Sequence, residues 1–446
     1  MANQKPTIAI IRFPGTNRER EAFKTSKLAG FTPFYFRWND DFEELKKADA
    51  YILPGGFSYE DRSRSGIMCA LDPVLKVIRE EAKKGKPVLG ICNGAQMLIE
   101  SGMVPGGVEN KSPLMCLARN VRKKDAEILG TGFINTWIKM KHNINPKRSA
   151  FTYMMSKDQI IHCPIAHGEG RYTTEEKGLV ETLFDNQQIV FRYCDDNGNI
   201  DETYPTNPNG TTENIAAIIN PEGNIMSVMP HFEHSYEIGK AIFDSMYQYV
   251  IDGNSLDNLE VPKCKKLDHT IYNKPEVYKS DAKNIEFFIS LIITDNEAES
   301  VNGTLKRSGF EDAALERFVH FEMSHEIEKE ELLDELAEII RSGELLNTNK
   351  ELVDVRIDDE FYHYESGKLV KTDKPVIENA YLVREVDDYI GEAKLQTLKH
   401  RLGFENITAI KRGIVWSINP IDKTDEIIQT RILNNPHSQK IFKFSK

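Results

Sequence analysis

At 446 residues the chain is too long for one ordinary hydrophobic core and is expected to hold two or three domains. With 40% hydrophobic and 28% charged residues, no apolar run of membrane-span length and no secretory signal, it reads as a soluble cytoplasmic protein with no membrane role. A net charge of -12 argues against nucleic acid as a partner, and six cysteines without a C-x-x-C pair exclude a disulfide framework and a zinc site.

In chain order, residues 7–11 read as an apolar strand, 19–28 as a helix, and 32–36 and 50–53 as strands, the last running into Pro54-Gly55-Gly56-Phe57. Residues 72–84 read as a helix with Val74, Leu75, Val77 and Ile78 on its apolar face, and 86–89 as a further buried strand. Strands alternating with helices predict an α/β domain on a mostly parallel sheet, whose ligands sit at the carboxyl ends of the strands.

Next comes Gly90-Ile91-Cys92-Asn93-Gly94-Ala95-Gln96, followed by 97–100 as the first turns of a helix. A cysteine between strand and helix, flanked by glycines, has the layout of a nucleophile elbow. The glycines permit a close approach of backbone and substrate, and a helix N-terminus favours the thiolate. Locally, a buried structural cysteine in a βα turn fits as well.

From about residue 113 to 230 the pattern shifts to short β runs at 133–140, 188–193, 215–219 and 225–229, and a helix follows over 235–249. These segments complete a domain over 1–251. Residues 252–283 carry little periodicity and read as a linker. Beyond it lies an internal repeat. Its first copy has a strand at 285–293, Thr304-Leu305-Lys306, Gly309-Phe310-Glu311, an acidic helix at 328–341, Leu345-Leu346-Asn347 and a strand at 352–357. The second has strands at 380–386 and 414–418, with Thr397-Leu398-Lys399 and Gly403-Phe404-Glu405 between them. A helix near 425–432, Leu433-Asn434-Asn435 and a strand at 441–444 complete it. The shared order of elements predicts two small α+β modules, 284–360 and 378–446, each β-α-β-β-α-β or a truncation of it.

A cysteine nucleophile needs a base, a group to orient the base, and donors for the developing oxyanion. Met229-Pro230-His231-Phe232-Glu233 ends a β run, so His231 is the candidate base and Glu233 its orienting carboxylate. An isolated H-x-E would default to a solvated loop; beside the Cys92 elbow it reads as a Cys-His-Glu triad. The Gly55-Gly56-Phe57 turn and the N–H of Asn93 are the candidate oxyanion donors, although Pro-Gly-Gly alone is an ordinary tight turn. Gln96, one turn into the helix, is open between substrate contact and solvated surface. No H-E-x-x-H or other ligand cluster is present, so no metal site is expected. His162 and His167 read as packing or loop residues.

Taken together, Gly-Ile-Cys-Asn-Gly-x-Gln, Pro-Gly-Gly-Phe-Ser-Tyr and Pro-His-x-Glu resemble the triad-type (class I) glutamine amidotransferases. More narrowly they resemble the glutaminase component of phosphoribosylformylglycinamidine synthase. Supporting stretches are Arg12-Phe13-Pro14-Gly15-Thr16-Asn17, Ile165-Ala166-His167-Gly168-Glu169-Gly170 and Tyr204-Pro205-Thr206-Asn207-Pro208-Asn209-Gly210. The resemblance spans residues 6–250. Phe232 stands where that family usually has proline, His234 where arginine is common, and Glu60 where glycine precedes Asp61. The C-terminal repeat resembles the small accessory subunit of the same synthase, on short motifs: each copy closes with Leu-x-Asn, and Asn435-Pro436 keeps a proline that Asn347-Thr348 lacks.

The resemblance implies a flavodoxin-like glutaminase domain in which Cys92 attacks glutamine, with ammonia passed to a large synthetase subunit that carries ATP and magnesium and aminates formylglycinamide ribonucleotide. No nucleotide-binding motif appears in this chain, so no cofactor is expected here. The tandem modules would form an intrachain pseudo-dimer. Two other readings stay open: a cysteine-dependent amidase of the same fold, and a non-catalytic scaffold with tandem interaction modules.

Overall fold

The structure, a computed structural model, describes residues 5–124, 127–267, 274–280, 284–326, 329–358, 360–373 and 377–444. Residue 328 of the expected acidic helix and residues 268–273 and 281–283 of the expected linker lie outside these. The chain divides into two units, Met1–Ile271 and Tyr272–Lys446.

The first unit opens with strands β1 (Thr7–Arg12), β2 (Thr32–Arg37), β3 (Ala50–Leu53) and β4 (Val88–Ile91). It continues with β5 (Cys116–Arg119), β6 (Val121–Lys124), β7 (Glu127–Thr131), β8 (Ile134–His142), β9 (Ile160–His167) and β10 (Glu169–Thr173). The last three are β11 (Ile189–Cys194), β12 (Ile215–Ile219) and β13 (Ile225–Val228). Nine of them form one sheet in the order β2-β1-β3-β4-β13-β12-β11-β8-β9. The β2-β1-β3-β4-β13 part is parallel, and the rest is an antiparallel extension. Its strand order is that of a flavodoxin-like doubly wound sheet.

Every residue of β3, β4, β12 and β13 is buried, as expected of strands covered on both faces. Burying each such aliphatic side chain stabilises the fold by roughly 1.5–3 kcal/mol. Helix Pro73–Lys83 starts at Asp72, whose carboxylate accepts the Val74 N–H at 3.0 Å. β4 runs to Ile91 and the next helix spans Asn93–Glu100, four residues ahead of its expected start. All eight residues of that helix are buried, so its polar N-terminal residues Asn93 and Gln96 are interior. Strand β9 was not legible because Pro164 interrupts its alternation. It is the edge strand of the sheet, where proline costs no ladder bond.

Part of the expected linker belongs to the units themselves. Leu259 is buried in the core of the first unit, the Glu260 N–H bonds the Lys147 carbonyl at 2.8 Å, and the Lys265 N–H bonds Asn186 at 2.7 Å. Residues Glu276–Tyr278 form the first strand, β14, of the second unit. Such isolated anchors leave no periodic signature.

The second unit adds β15 (Ile285–Leu291), β16 (Glu316–His325), β17 (Glu351–Ile357), β18 (Glu360–Glu365) and β19 (Lys368–Thr372). It closes with β20 (Ala380–Glu385), β21 (Ile407–Ser417) and β22 (Gln439–Phe444). Both repeats are β-α-β-α-β, and they share one nine-stranded sheet, β14-β22-β20-β21-β16-β15-β17-β18-β19. The two copies join where their equivalent middle strands, β16 and β21, pair antiparallel from Glu316↔Ser417 to His325↔Ile407. Antiparallel pairing of equivalent strands relates the copies by a local twofold. Among the described residues the β18–β19 hairpin has no counterpart in the second copy, and it fills the interval left between the expected modules.

Candidate active site

β4 delivers Cys92 to the carboxyl edge of the parallel strands. Its N–H bonds the Val228 carbonyl of β13 at 2.8 Å, and its φ of 52° and ψ of -106° put a non-glycine residue in strained backbone. The sharp turn needs the glycines around it: a Cβ at Gly94 would fall 1.9 Å from the Leu53 carbonyl oxygen. The elbow is thus a strand-to-helix nucleophile turn, with Cys92 only 5% exposed and its Sγ 3.7 Å from the Ala166 carbonyl oxygen.

His231 follows β13, and its N–H is held by the Pro164 carbonyl of β9 at 2.9 Å. Its Nδ1 lies 2.7 Å from Glu233 Oε1, and the ring also hydrogen-bonds Cys92. Gly55 keeps the space between them open: a Cβ there would lie 2.9 Å from His231 Cε1 and 3.5 Å from Cys92 Cβ. Burial lowers the pKa of His231, but the Glu233 carboxylate and the Cys92 sulfur outweigh it and hold the imidazole up to about 10. Glu233 itself is fully buried.

At the Gly55-Gly56-Phe57 turn, Phe57 N–H donates to the Gly15 carbonyl at 3.0 Å, and Asn17 and Arg18 N–H donate to Gly55. The Phe57 amide is therefore engaged, and its half-exposed ring lines the cavity beside Cys92. In the Thr16↔Gly56 bridge, by contrast, the N–H of Gly56 is left outside the pair. Gly56, at φ 150°, admits no side chain, because a Cβ would come within 2.8 Å of the Asn17 nitrogen and the Gly15 oxygen. The Asn93 N–H sits in the first turn of its helix, where amides lack intrahelical acceptors. The Asn93 side chain ties the site together: Oδ1 accepts the Ser58 N–H at 3.1 Å, and Nδ2 donates to Asp61 Oδ1 at 3.2 Å and to Gln96 Oε1 at 2.9 Å. Gln96 is buried rather than solvated; its Nε2 bonds the Glu169 carbonyl at 2.6 Å, and the residue lines the cavity.

That cavity, of about 270 Å³, also takes in Asp61, Arg119, His167 and Glu169, to which sequence reasoning assigned no chemistry. His167 is a buried cavity residue, not a loop histidine. Asn120 Nδ2 lies 3.1 Å from its Nδ1 and bonds its carbonyl at 2.6 Å. Burial, then repulsion from His231, pushes its imidazole down to about 3. The family resemblance includes the Ile165–Gly170 stretch, but no local pattern encodes the folding of the end of β9 against Cys92.

The departures from the expected motif are accommodated around the site. Phe232 is fully buried against Phe191, with ring centroids 5.6 Å apart, and His234 packs edge-on to Trp137 at 5.7 Å. Glu60 pairs with Arg62 at 2.9 Å. None of these contacts displaces His231 or Glu233.

Residues 5–245 match the family model described as a CobB/CobQ-like glutamine amidotransferase domain. A phosphoribosylformylglycinamidine synthase subunit PurQ from Methanothrix thermoacetophila is 41% identical over 263 residues, covering 56% of this chain and 99% of that protein. The PurQ subunit from Methanopyrus kandleri is 38% identical, with 54% of this chain and 97% of that one covered. Among solved structures, a chain of PurLQS from Thermotoga maritima is 31% identical, with a TM-score of 0.44, and covers 55% of this chain and 100% of that chain. With its elbow cysteine, buried histidine and glutamate, and a family match over more than half its length, the chain belongs to the glutamine amidotransferases.

Proposed function

We propose that the chain is the glutaminase subunit of a phosphoribosylformylglycinamidine synthase and that Cys92, His231 and Glu233 carry its chemistry. Cys92 attacks the carboxamide carbon of glutamine. The tetrahedral oxygen is met by the N–H groups of Gly56 and Asn93, and His231 gives its proton to the departing nitrogen, releasing ammonia and leaving a glutamyl thioester. His231 then takes a proton from water, which hydrolyses the thioester to glutamate and frees Cys92. Glu233 fixes the ring so that Nδ1 faces it and the other nitrogen faces the sulfur. The observation that carries this reading is the strained Cys92 elbow beside a histidine whose Nδ1 is 2.7 Å from a buried carboxylate.

Ammonia released here serves a large synthetase subunit that binds ATP and magnesium and aminates formylglycinamide ribonucleotide; this chain needs no cofactor of its own. The tandem second unit acts as the accessory module of the assembly, in the cytoplasm. The test reconstitutes the full chain with the synthetase subunit. Cys92→Ala abolishes glutamate release and glutamine-dependent amination, while added ammonia still supports amination. Glutamate release at the wild-type rate by the Cys92→Ala chain would overturn the mechanism. Amination supported by ammonia but never by glutamine, with the wild-type chain present, would overturn the subunit assignment.

A further inference from the structure

Away from the catalytic cavity, Arg148 is a fully buried cation without a carboxylate partner. It closes the short 3-10 turn Pro146–Arg148 and is 0% exposed. Its Nε donates to the Asn186 carbonyl at 3.1 Å and its Nη2 to the Pro221 carbonyl at 2.8 Å. Nη1 is buried without a hydrogen-bond partner, and among the described residues the guanidinium makes no ion pair. A buried charge is costly unless it is paired. The neighbouring Glu222 accepts instead from Asn220 Nδ2 at 2.7 Å, and burial pushes its carboxyl up. What meets Arg148 is the sulfur of Cys264, 3.8 Å from Nη2. Burial pulls the pKa of the guanidinium down, and Cys264 opposes that more than Glu222 does.

Cys264 stands apart from the other five cysteines, which are buried; it is partly exposed. It lies on the strap that the Glu260 and Lys265 amides tie to Lys147 and Asn186. Asn186 holds both partners, accepting from Arg148 Nε with its carbonyl and donating from Nδ2 to the Lys265 carbonyl at 3.0 Å. Partial exposure beside a fixed positive charge is the setting of a thiol that reacts.

We propose that Cys264 is a modification site for hydroperoxides and that Arg148 holds the sulfenate it forms. The thiolate sulfur attacks one oxygen of the peroxide. The S–O bond forms as the O–O bond breaks, and two electrons pass from sulfur to the departing oxygen. With hydrogen peroxide that oxygen leaves as hydroxide and takes the proton of the sulfenic acid, giving water and sulfenate. The sulfenate oxygen accepts from Nη1, the donor that lacks a partner, and supplies the anion that Arg148 is missing. The strap is then pinned to the first unit by an ion pair as well as by its backbone bonds.

The test treats the full chain with limiting hydrogen peroxide and follows the loss of each free thiol by isotope-coded alkylation and peptide mass spectrometry. Arsenite, which reduces a sulfenic acid but not a disulfide, restores the thiol. Cys264 is expected to oxidise at least about tenfold faster in the folded chain than in the same chain unfolded in urea at the same pH. Exposure alone gives the reverse order, because unfolding uncovers the sulfur. Arg148→Gln lowers the folded-state rate of Cys264 by at least about tenfold, while Cys69, Cys116, Cys163 and Cys194 stay protected and report an intact fold. In the oxidised wild-type chain, hydrogen exchange of the Lys265 amide slows. Folded Cys264 that reacts no faster than unfolded Cys264 would overturn the proposal, whether or not Arg148→Gln folds. A folded Arg148→Gln chain that oxidises at the wild-type rate would remove the guanidinium from it. Lys265 exchange that is unchanged or faster after oxidation would show that Arg148 does not hold the sulfenate.

Discussion

His231 and Glu233 are two residues apart in one loop, and their side chains meet at 2.7 Å in a fully enclosed site. A turn of 3-10 helix over Phe232–His234 brings the carboxylate back to the ring, and the Thr25 hydroxyl donates to the Glu233 carbonyl at 3.2 Å to hold it there. The pair is thus built by short-range geometry and clamped by the first helix.

Two of the eleven histidines are expected to titrate far from the ordinary range and in opposite directions. In chain labelled with 15N-histidine, the imidazole of His231 stays protonated to about pH 10, and that of His167 stays neutral down to about pH 3. Cys92→Ser removes one of the charges that raise His231, so its titration moves downward. An unshifted His231 in that variant would show that the sulfur does not contribute.

Glu233→Gln keeps the shape and removes the charge. It is expected to lower kcat for glutamine hydrolysis by about 10²- to 10⁴-fold, because the ring loses the partner that sets its tautomer and stabilises its cation. The same substitution changes how stability depends on pH. His231 has a folded value of about 10 and an ordinary unfolded one of 6.5, so its protonation contributes fully below pH 6.5 and is lost as pH rises toward 10. The corresponding slope, at most about 1.4 kcal/mol per pH unit, flattens in Glu233→Gln. Urea unfolding of the first unit between pH 6.5 and 10 measures it.

Gly55→Ala tests the open space between sulfur and imidazole. The new methyl would lie 2.9 Å from His231 Cε1, and Gly55 has no left-handed φ to defend, so the strain falls on the dyad rather than on the backbone. Glutaminase kcat is expected to drop about 100-fold, with thermal stability changed far less than activity. A variant of full activity would mean that Cys92 and His231 need not meet directly.

How much could be read beforehand follows from burial and locality. Apolar runs such as 50–53 and 88–91 are buried on both faces and announce themselves, and so do Cys92 and the H-x-E element, whose signals span a few residues. Strand β16 was not foreseen because Glu316-Arg317-Phe318-Val319-His320-Phe321-Glu322 mixes polar and apolar types on a strand whose polar members His320 and Glu322 are buried. Asp61, Arg119 and Glu169 become a set only when β5, β10 and the turn after β3 converge, a meeting that no local pattern encodes. The Phe57 amide, expected from the turn to be a free donor, is occupied because the 13–17 loop folds back onto it, a contact with no local signature.

The buried polar cluster behind β16 yields the last prediction. Glu286 and Glu322 sit on adjacent strands and share the Tyr278 hydroxyl. Arg356 pairs with Glu286 at 2.8 Å and Arg384, from the second repeat, with Glu322 at 2.5 Å. Arg384 also stacks over the Tyr278 ring, 5.3 Å from its centroid. Although burial raises the Glu322 carboxyl, Arg384 and Asn284 outweigh it and hold the group below its ordinary value. Its ionised form therefore contributes stability above about pH 4.5, and that contribution is lost as pH falls through the lower folded value. Arg384→Met strands Glu322, only 5% exposed, without its cation, and is expected to cost the second unit about 3–5 kcal/mol at pH 7. Trp416 is buried in this unit and the other two tryptophans, Trp38 and Trp137, lie in the first, so Trp416 fluorescence during urea unfolding reports the second unit once those two are replaced by phenylalanine. The deficit should shrink toward pH 4, where the stranded carboxylate takes up a proton and no longer needs a partner. A deficit independent of pH would place the cost in lost packing of the arginine stem over Tyr278 rather than in the charge.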